Sequence, residues 1–117
     1  MRFLEQVVLV VEDEPLLAVG LQQSLENVGA QVVRAGQHDA SRIVDQGNLS
    51  VAVMDCHPAS AERRALVRRL RQRRVPFLFY SVQPPGSVTT ERGAQYVGKP
   101  CPPQKIIAAM RYLLRPL

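Results

Sequence analysis

Apolar positions along this chain change their period repeatedly, and the changes divide it into short segments. Val7-Val8-Leu9-Val10-Val11 is unbroken and rich in β-branched residues, the pattern of a strand covered on both faces. Pro15 then stands at a first helical position. Leu17, Leu21, Leu25 and Val28 recur at spacings of four, four and three, which predicts an amphipathic helix with those residues facing inward. Gly29 follows where a C-terminal cap belongs. A short strand is predicted from Gln31 to Ala35, a brief helix through Ala40, Ile43 and Val44 ended by Gly47, and a further strand over 51–54. Ser60 is placed to cap a helix that carries Leu66 and Leu70 inward. Residues 75–80 read as another buried strand. Segment 82–94 has two Pro and two Gly, so a loop with at most a short helix is expected. Tyr96 and Val97 belong to a final strand, and Pro103 starts a last helix with Ile106, Met110 and Leu113 facing inward.

Five strands alternating with about five helices predict an α/β fold, a parallel sheet covered by helices on both faces. Ligands of such sheets bind beyond the carboxyl ends of the strands. Chemistry is therefore expected just after Val11, Met54, Tyr80 and Val97.

Composition narrows the class without changing that picture. A chain of 117 residues, 46% hydrophobic and 21% charged, suits one globular domain and is unlike a disordered segment. No apolar run approaches the roughly 18 residues of a membrane span. The first residues lack the apolar stretch of a secretory signal, so a cytoplasmic protein with no membrane partner is expected. The formal charge is +5, but it is not evenly spread. Seven arginines between Arg63 and Arg74, with Glu62, give that stretch +6 and leave −1 for the rest of the chain. Cys56 and Cys101 stand 45 residues apart with no CxxC and only His38 and His57 as histidines. That is neither a zinc pattern nor a disulfide framework. Two reduced thiols are expected, a redox pair being the alternative.

The strand ends carry a coherent set of residue types. Glu12-Asp13-Glu14 follows the first strand and Asp55 the third. Brought together, Glu12, Asp13 and Asp55 would repel one another unless a cation were present. A hard divalent ion, Mg²⁺ before others, suits three carboxylates. The fourth strand delivers the hydroxyl of Ser81 and the fifth the ammonium of Lys99. Such a cradle can share phosphoryl oxygens among metal, Ser81 and Lys99 while Asp55 attacks phosphorus. Taken singly, each residue has a plainer account as helix-end charge, turn residue or solvated surface. The joint pattern at four strand ends favours phosphoryl chemistry.

At these residues the sequence resembles the receiver domain of bacterial two-component response regulators over nearly its whole length. The matching pieces are Val8-Leu9-Val10-Val11-Glu12-Asp13-Glu14-Pro15, Val51-Ala52-Val53-Met54-Asp55, Ser81 and Tyr96-Val97-Gly98-Lys99-Pro100. The resemblance implies a flavodoxin-like sheet of strand order 2-1-3-4-5, while the short interval from Ser81 to Lys99 departs from it and predicts a shortened fourth helix. It implies that Asp55 accepts a phosphoryl group from a partner sensor histidine kinase or phosphotransfer protein, in a site that catalyses its own phosphorylation and dephosphorylation and is not a turnover enzyme. Mg²⁺ would be held by Glu12, Asp13, Asp55 and the His57 backbone carbonyl. Ser81 and Lys99 would contact the phosphoryl oxygens. Ser81 and Tyr96 would form the switch, Tyr96 as a plain core aromatic being the alternative.

The resemblance has departures. Cys56-His57-Pro58-Ala59-Ser60 lacks the usual Pro-Gly-rich turn. Pro76-Phe77-Leu78-Phe79-Tyr80-Ser81-Val82 is similar to a subgroup of lone receivers that read Pro-Phe-Val-Phe-Ala-Thr-Gly, and Val82 replaces a smaller residue, narrowing access to Asp55. With no output domain expected in residues 1–117, the implied role is a stand-alone receiver, monomeric or weakly dimeric, acting as a protein-interaction switch or phosphate shuttle. A degenerate receiver serving as a phosphorylation-independent docking module is the alternative. The arginine stretch remains open among a solvated helix face, a docking surface built on Arg63, Arg64, Arg68 and Arg71, and a nucleic-acid contact. Nothing resembles a helix-turn-helix or a stacking platform, so nucleic acid is not the expected partner.

Overall fold

A computed structural model describes residues 6–12, 14–55, 61–81, 95–98 and 102–114. Its elements are strands β1 (Val7–Val11), β2 (Gln31–Ala35), β3 (Val51–Asp55), β4 (Phe77–Ser81) and β5 (Gln95–Gly98), and helices α1 (Pro15–Asn27), α2 (Gln37–Gln46), α3 (Ala61–Gln72) and α4 (Pro103–Leu114). All strand pairs are parallel and the order is β2-β1-β3-β4-β5. This is the expected doubly wound α/β sheet. The helix considered for 82–94 and the cap at Ser60 lie outside the described residues.

Alternation along the strands sorts the core into two layers. Leu9, Val11, Ala52, Met54, Phe77 and Phe79 meet Ala40 and Val44 of α2 and Leu66, Val67 and Leu70 of α3. Val8, Val10, Val53, Leu78 and Tyr80 meet Leu21 and Leu25 of α1 and Ile106, Ile107 and Met110 of α4. A strand whose two faces are both covered has no polar face to present, which explains the unbroken apolar run of β1.

Local chemistry sets the element ends. The Glu14 carboxylate caps α1 by accepting from the Leu16 amide at 3.2 Å, ahead of Pro15 at the first helical position. At the other end the Gly29 amide donates to the Glu26 carbonyl and the Ala30 amide to the Leu25 carbonyl, with Gly29 at φ 97°. This is the glycine-terminated cap the sequence predicts. The inward row of α1 needs a correction, because Leu17 is 47% exposed and Ala18 takes its place beside Leu21 and Leu25. The narrow core-facing stripe admits the small side chain in the first turn.

Strand β4 also starts later than the apolar run suggests, at Phe77, and runs on to Ser81. The reason is the end of α3. The Val75 amide is spent on the Leu70 carbonyl at 2.9 Å, the Arg74 amide on the Arg71 carbonyl, and Arg74 takes φ 58°. Val75 therefore belongs to the helix cap, and Pro76 has no N–H to give to a ladder. Pairing begins one residue later.

Candidate functional site

The parallel registers decide which residues share the carboxyl edge of the sheet. Val11 pairs with Met54, so Glu12 and Asp55 stand side by side one residue further along. Asp55 pairs with Tyr80, and Ser81 with Gly98. The backbones of Glu12, Asp55, Tyr80 and Val97 thus form one row, with Ser81 and Gly98 paired one residue beyond it and Lys99 next in the chain. Chain connections leave β1 toward β2 on one side, while β3 lies on the other. That is the topological switch point at which open α/β sheets bind ligands.

Glu12 is the member of this row whose side chain is described in most detail. It is 8% exposed, and its amide continues the β1–β2 ladder to the Ala35 carbonyl at 3.2 Å. Its Oε2 accepts from the Glu14 amide at 3.0 Å, and its Oε1 accepts from the Tyr80 hydroxyl. A buried carboxylate is tolerable when charge-assisted donors of this kind reach it. The donor set suits a hard cation in kind, since carboxylate-bearing Glu12 and Asp55 occupy adjacent strand ends with Asp13 beside them in sequence. Asp13, His57 and Lys99, and the side chains of Asp55, Ser81 and Tyr96, lie outside the described residues, as do Cys56 and Cys101. The Tyr96 backbone pairs with Phe79, one residue before the row.

The arginines do not form one surface. Arg63, grouped above with the docking candidates, is 1% exposed, and its guanidinium lies 5.2 Å from the Phe79 ring centroid. It belongs to the core side of α3, since Arg63, Leu66, Val67 and Leu70 follow one inward helical row. Arg69 pairs with the Asp45 carboxylate of α2, and Arg73 donates to the Asp45 carbonyl at 2.7 Å. Arg71 lies 5.4 Å from the Phe77 ring centroid. Arg64, Arg68 and Arg71 are exposed. They stand on a helix of the layer opposite to the one that Tyr80 joins.

Tyr80 is the site residue that sequence reasoning missed, having treated it as a strand residue only. Its position offered a signal. A phenol at the last inward-facing place of a buried strand needs a polar partner for its hydroxyl. In the similar stretch Pro-Phe-Val-Phe-Ala-Thr-Gly, that place belongs to Ala.

No protein-family model matches the chain, and no curated protein matches it significantly. Solved structures do match it. A response regulator receiver protein of Sinorhizobium medicae is 19% identical, with 93% of this chain and 94% of that chain covered at TM-score 0.75. The receiver domain of a Pseudomonas aeruginosa sensor histidine kinase, solved with a magnesium ion in its active-site cleft, is 21% identical. There 93% of this chain and 97% of that chain are covered at TM-score 0.78. The Thermotoga maritima response regulator TrrA, in complex with Mg²⁺ and BeF, is 19% identical, with 93% and 99% covered at TM-score 0.79. Likeness at this level of identity speaks for architecture. The chain has the fold of response regulator receiver domains.

Proposed function

We propose that this protein is a receiver that accepts a phosphoryl group on Asp55 in two-component signal transduction. The observation that carries the proposal is the register that sets Glu12 and Asp55 level with Tyr80 and Val97 at the switch point of a receiver fold, with Ser81 and Gly98 one residue beyond. In this reading an Asp55 carboxylate oxygen attacks the phosphorus of a partner's phosphohistidine. The P–N bond breaks, and its electron pair stays on the imidazole nitrogen. Ser81 and Lys99 hold two of the phosphoryl oxygens. Glu12, Asp13, Asp55 and the His57 carbonyl hold Mg²⁺, which when bound offsets the negative charge of carboxylates and phosphoryl group together. The added charge of about −1.5 to −2 biases a switch through Ser81 and Tyr96.

The partners of this reading are a sensor histidine kinase or phosphotransfer protein and a downstream protein, and the setting is the cytoplasm. Among the described residues no helix is long and apolar enough to cross a membrane. Leu16, Leu17 and Val19 are 82%, 47% and 40% exposed on the first turns of α1, directly after the acidic residues. Exposed apolar side chains grouped beside a site suit a protein partner better than a polyanion.

Beryllofluoride, a mimic of the phosphoryl group, tests the site without any kinase. With Mg²⁺ present it should shift the amide resonances of Val11, Met54 and Gly98, and chelation of the metal should reverse those shifts. Asp55→Ala should show none. Wild-type spectra unchanged by beryllofluoride and Mg²⁺ would remove the phosphoacceptor reading and leave the docking module.

A further inference from the structure

The hydrogen bond from Tyr80 to Glu12 joins side chains two strands apart. Tyr80 is on β4 and Glu12 extends β1, with β3 between them. Neighbouring strands are spaced about 4.8 Å, so the pair spans roughly 10 Å of sheet, a gap that the long tyrosine side chain and a glutamate together close. The register fixes where they meet. Tyr80 pairs with Asp55, and Asp55 stands beside Glu12. Phenol and carboxylate therefore come together across the end of β3, over residue 55. Both groups are well buried, Tyr80 at 4% and Glu12 at 8% exposed, and the Tyr80 ring is packed in the layer of α1 and α4.

We infer that Tyr80 is a latch on the acidic strand ends: its hydroxyl holds Glu12 across the Asp55 position and must yield that place when a divalent cation enters. The inference rests on the phosphoacceptor reading, which puts the cation and the phosphoryl group in the space that the Tyr80–Glu12 pair spans. The phenol donates to an oxygen that would otherwise face the cation, and a hydrogen bond to a carboxylate is among the stronger kinds. Tyr80 is thus a positioning residue for Glu12, setting how much free Mg²⁺ is needed before the site is competent.

Tyr80→Phe keeps the ring and removes the latch, so packing changes little. Magnesium titrations of wild type and variant, followed through the amide resonances of Val11 and Gly98, should show the variant binding about tenfold more tightly. In wild-type protein carrying ¹³C-tyrosine, the Cζ resonance of Tyr80, identified by its absence from the variant, should move as Mg²⁺ saturates the site. Equal or weaker Mg²⁺ binding by Tyr80→Phe overturns the latch while leaving the receiver reading in place, as does a Tyr80 resonance unmoved at saturation. If neither protein binds Mg²⁺, the receiver reading fails and the latch falls with it.

Discussion

Arg63 shows how a single charged side chain can be structural. Its guanidinium lies against the Phe79 ring within the α2–α3 layer, where a planar, weakly hydrated cation is better accommodated than an ammonium. Truncation should create a cavity and remove the cation–π contact. Arg63→Ala is expected to cost about 2–4 kcal/mol in urea denaturation, whereas Arg64→Ala, one residue on and exposed, should stay within about 0.5 kcal/mol. Equal effects at the two positions would mean that the burial of Arg63 contributes nothing. The inward row Arg63, Leu66, Val67 and Leu70 was already present in the sequence, but its charge concealed it among six other arginines. The same holds for Tyr80. Hydrophobic counting saw its ring and not the need of its hydroxyl for a partner. Glu12 and Asp55 were easier to read, since a carboxylate directly after a buried apolar strand contradicts its surroundings and calls for a reason.

Elements were most legible where period and punctuation agreed. Strand β1 and helix α1 are announced by an apolar run, a proline at the start and a glycine at the end, and the structure places them accordingly. Legibility failed where the chain uses an unusual residue for a usual job. Helix α3 closes with Arg74, not glycine, in the left-handed region, so no glycine marked the stop and β4 seemed to begin at Val75. An L residue held there is strained. Arg74→Gly should therefore raise stability by about 0.5–1 kcal/mol, measured by urea denaturation with unchanged slope. A loss of that size would show that the Arg74 side chain outweighs its backbone strain. The opposite substitution at the end of α2 makes the complementary case. Gly47 has φ 86°, and an added Cβ would meet only the Arg73 side chain at 3.9 Å, so Gly47→Ala should cost about 1 kcal/mol through backbone strain rather than collision.

At the scale of the molecule, the sheet does what no single motif can. Residues 12, 55, 80 and 97 are far apart in sequence, and parallel pairing alone brings their backbones into one row, with 81 and 98 just beyond. Strand alternation with helices was readable from the sequence, and so was the end of the sheet at which to look. Side-chain geometry was not, because it depends on which face each strand presents after pairing, and one residue of slip reverses that. The +5 charge also resolves at this scale. The arginines of 63–74 are divided among a buried ring contact, ties to α2, and an exposed remainder on the layer opposite Tyr80. The protein is better described as an acidic pocket with a basic flank than as a basic protein.

The strand ends gathered at the switch point make Asp55 the expected phosphoacceptor. Intact-mass measurement of wild type and Asp55→Ala after incubation with Mg²⁺ and a small-molecule phosphodonor tests it most directly. The wild type should gain one phosphoryl group, a gain abolished by chelation of Mg²⁺ and absent from Asp55→Ala. An unmodified wild type, or the same gain in Asp55→Ala, would contradict it.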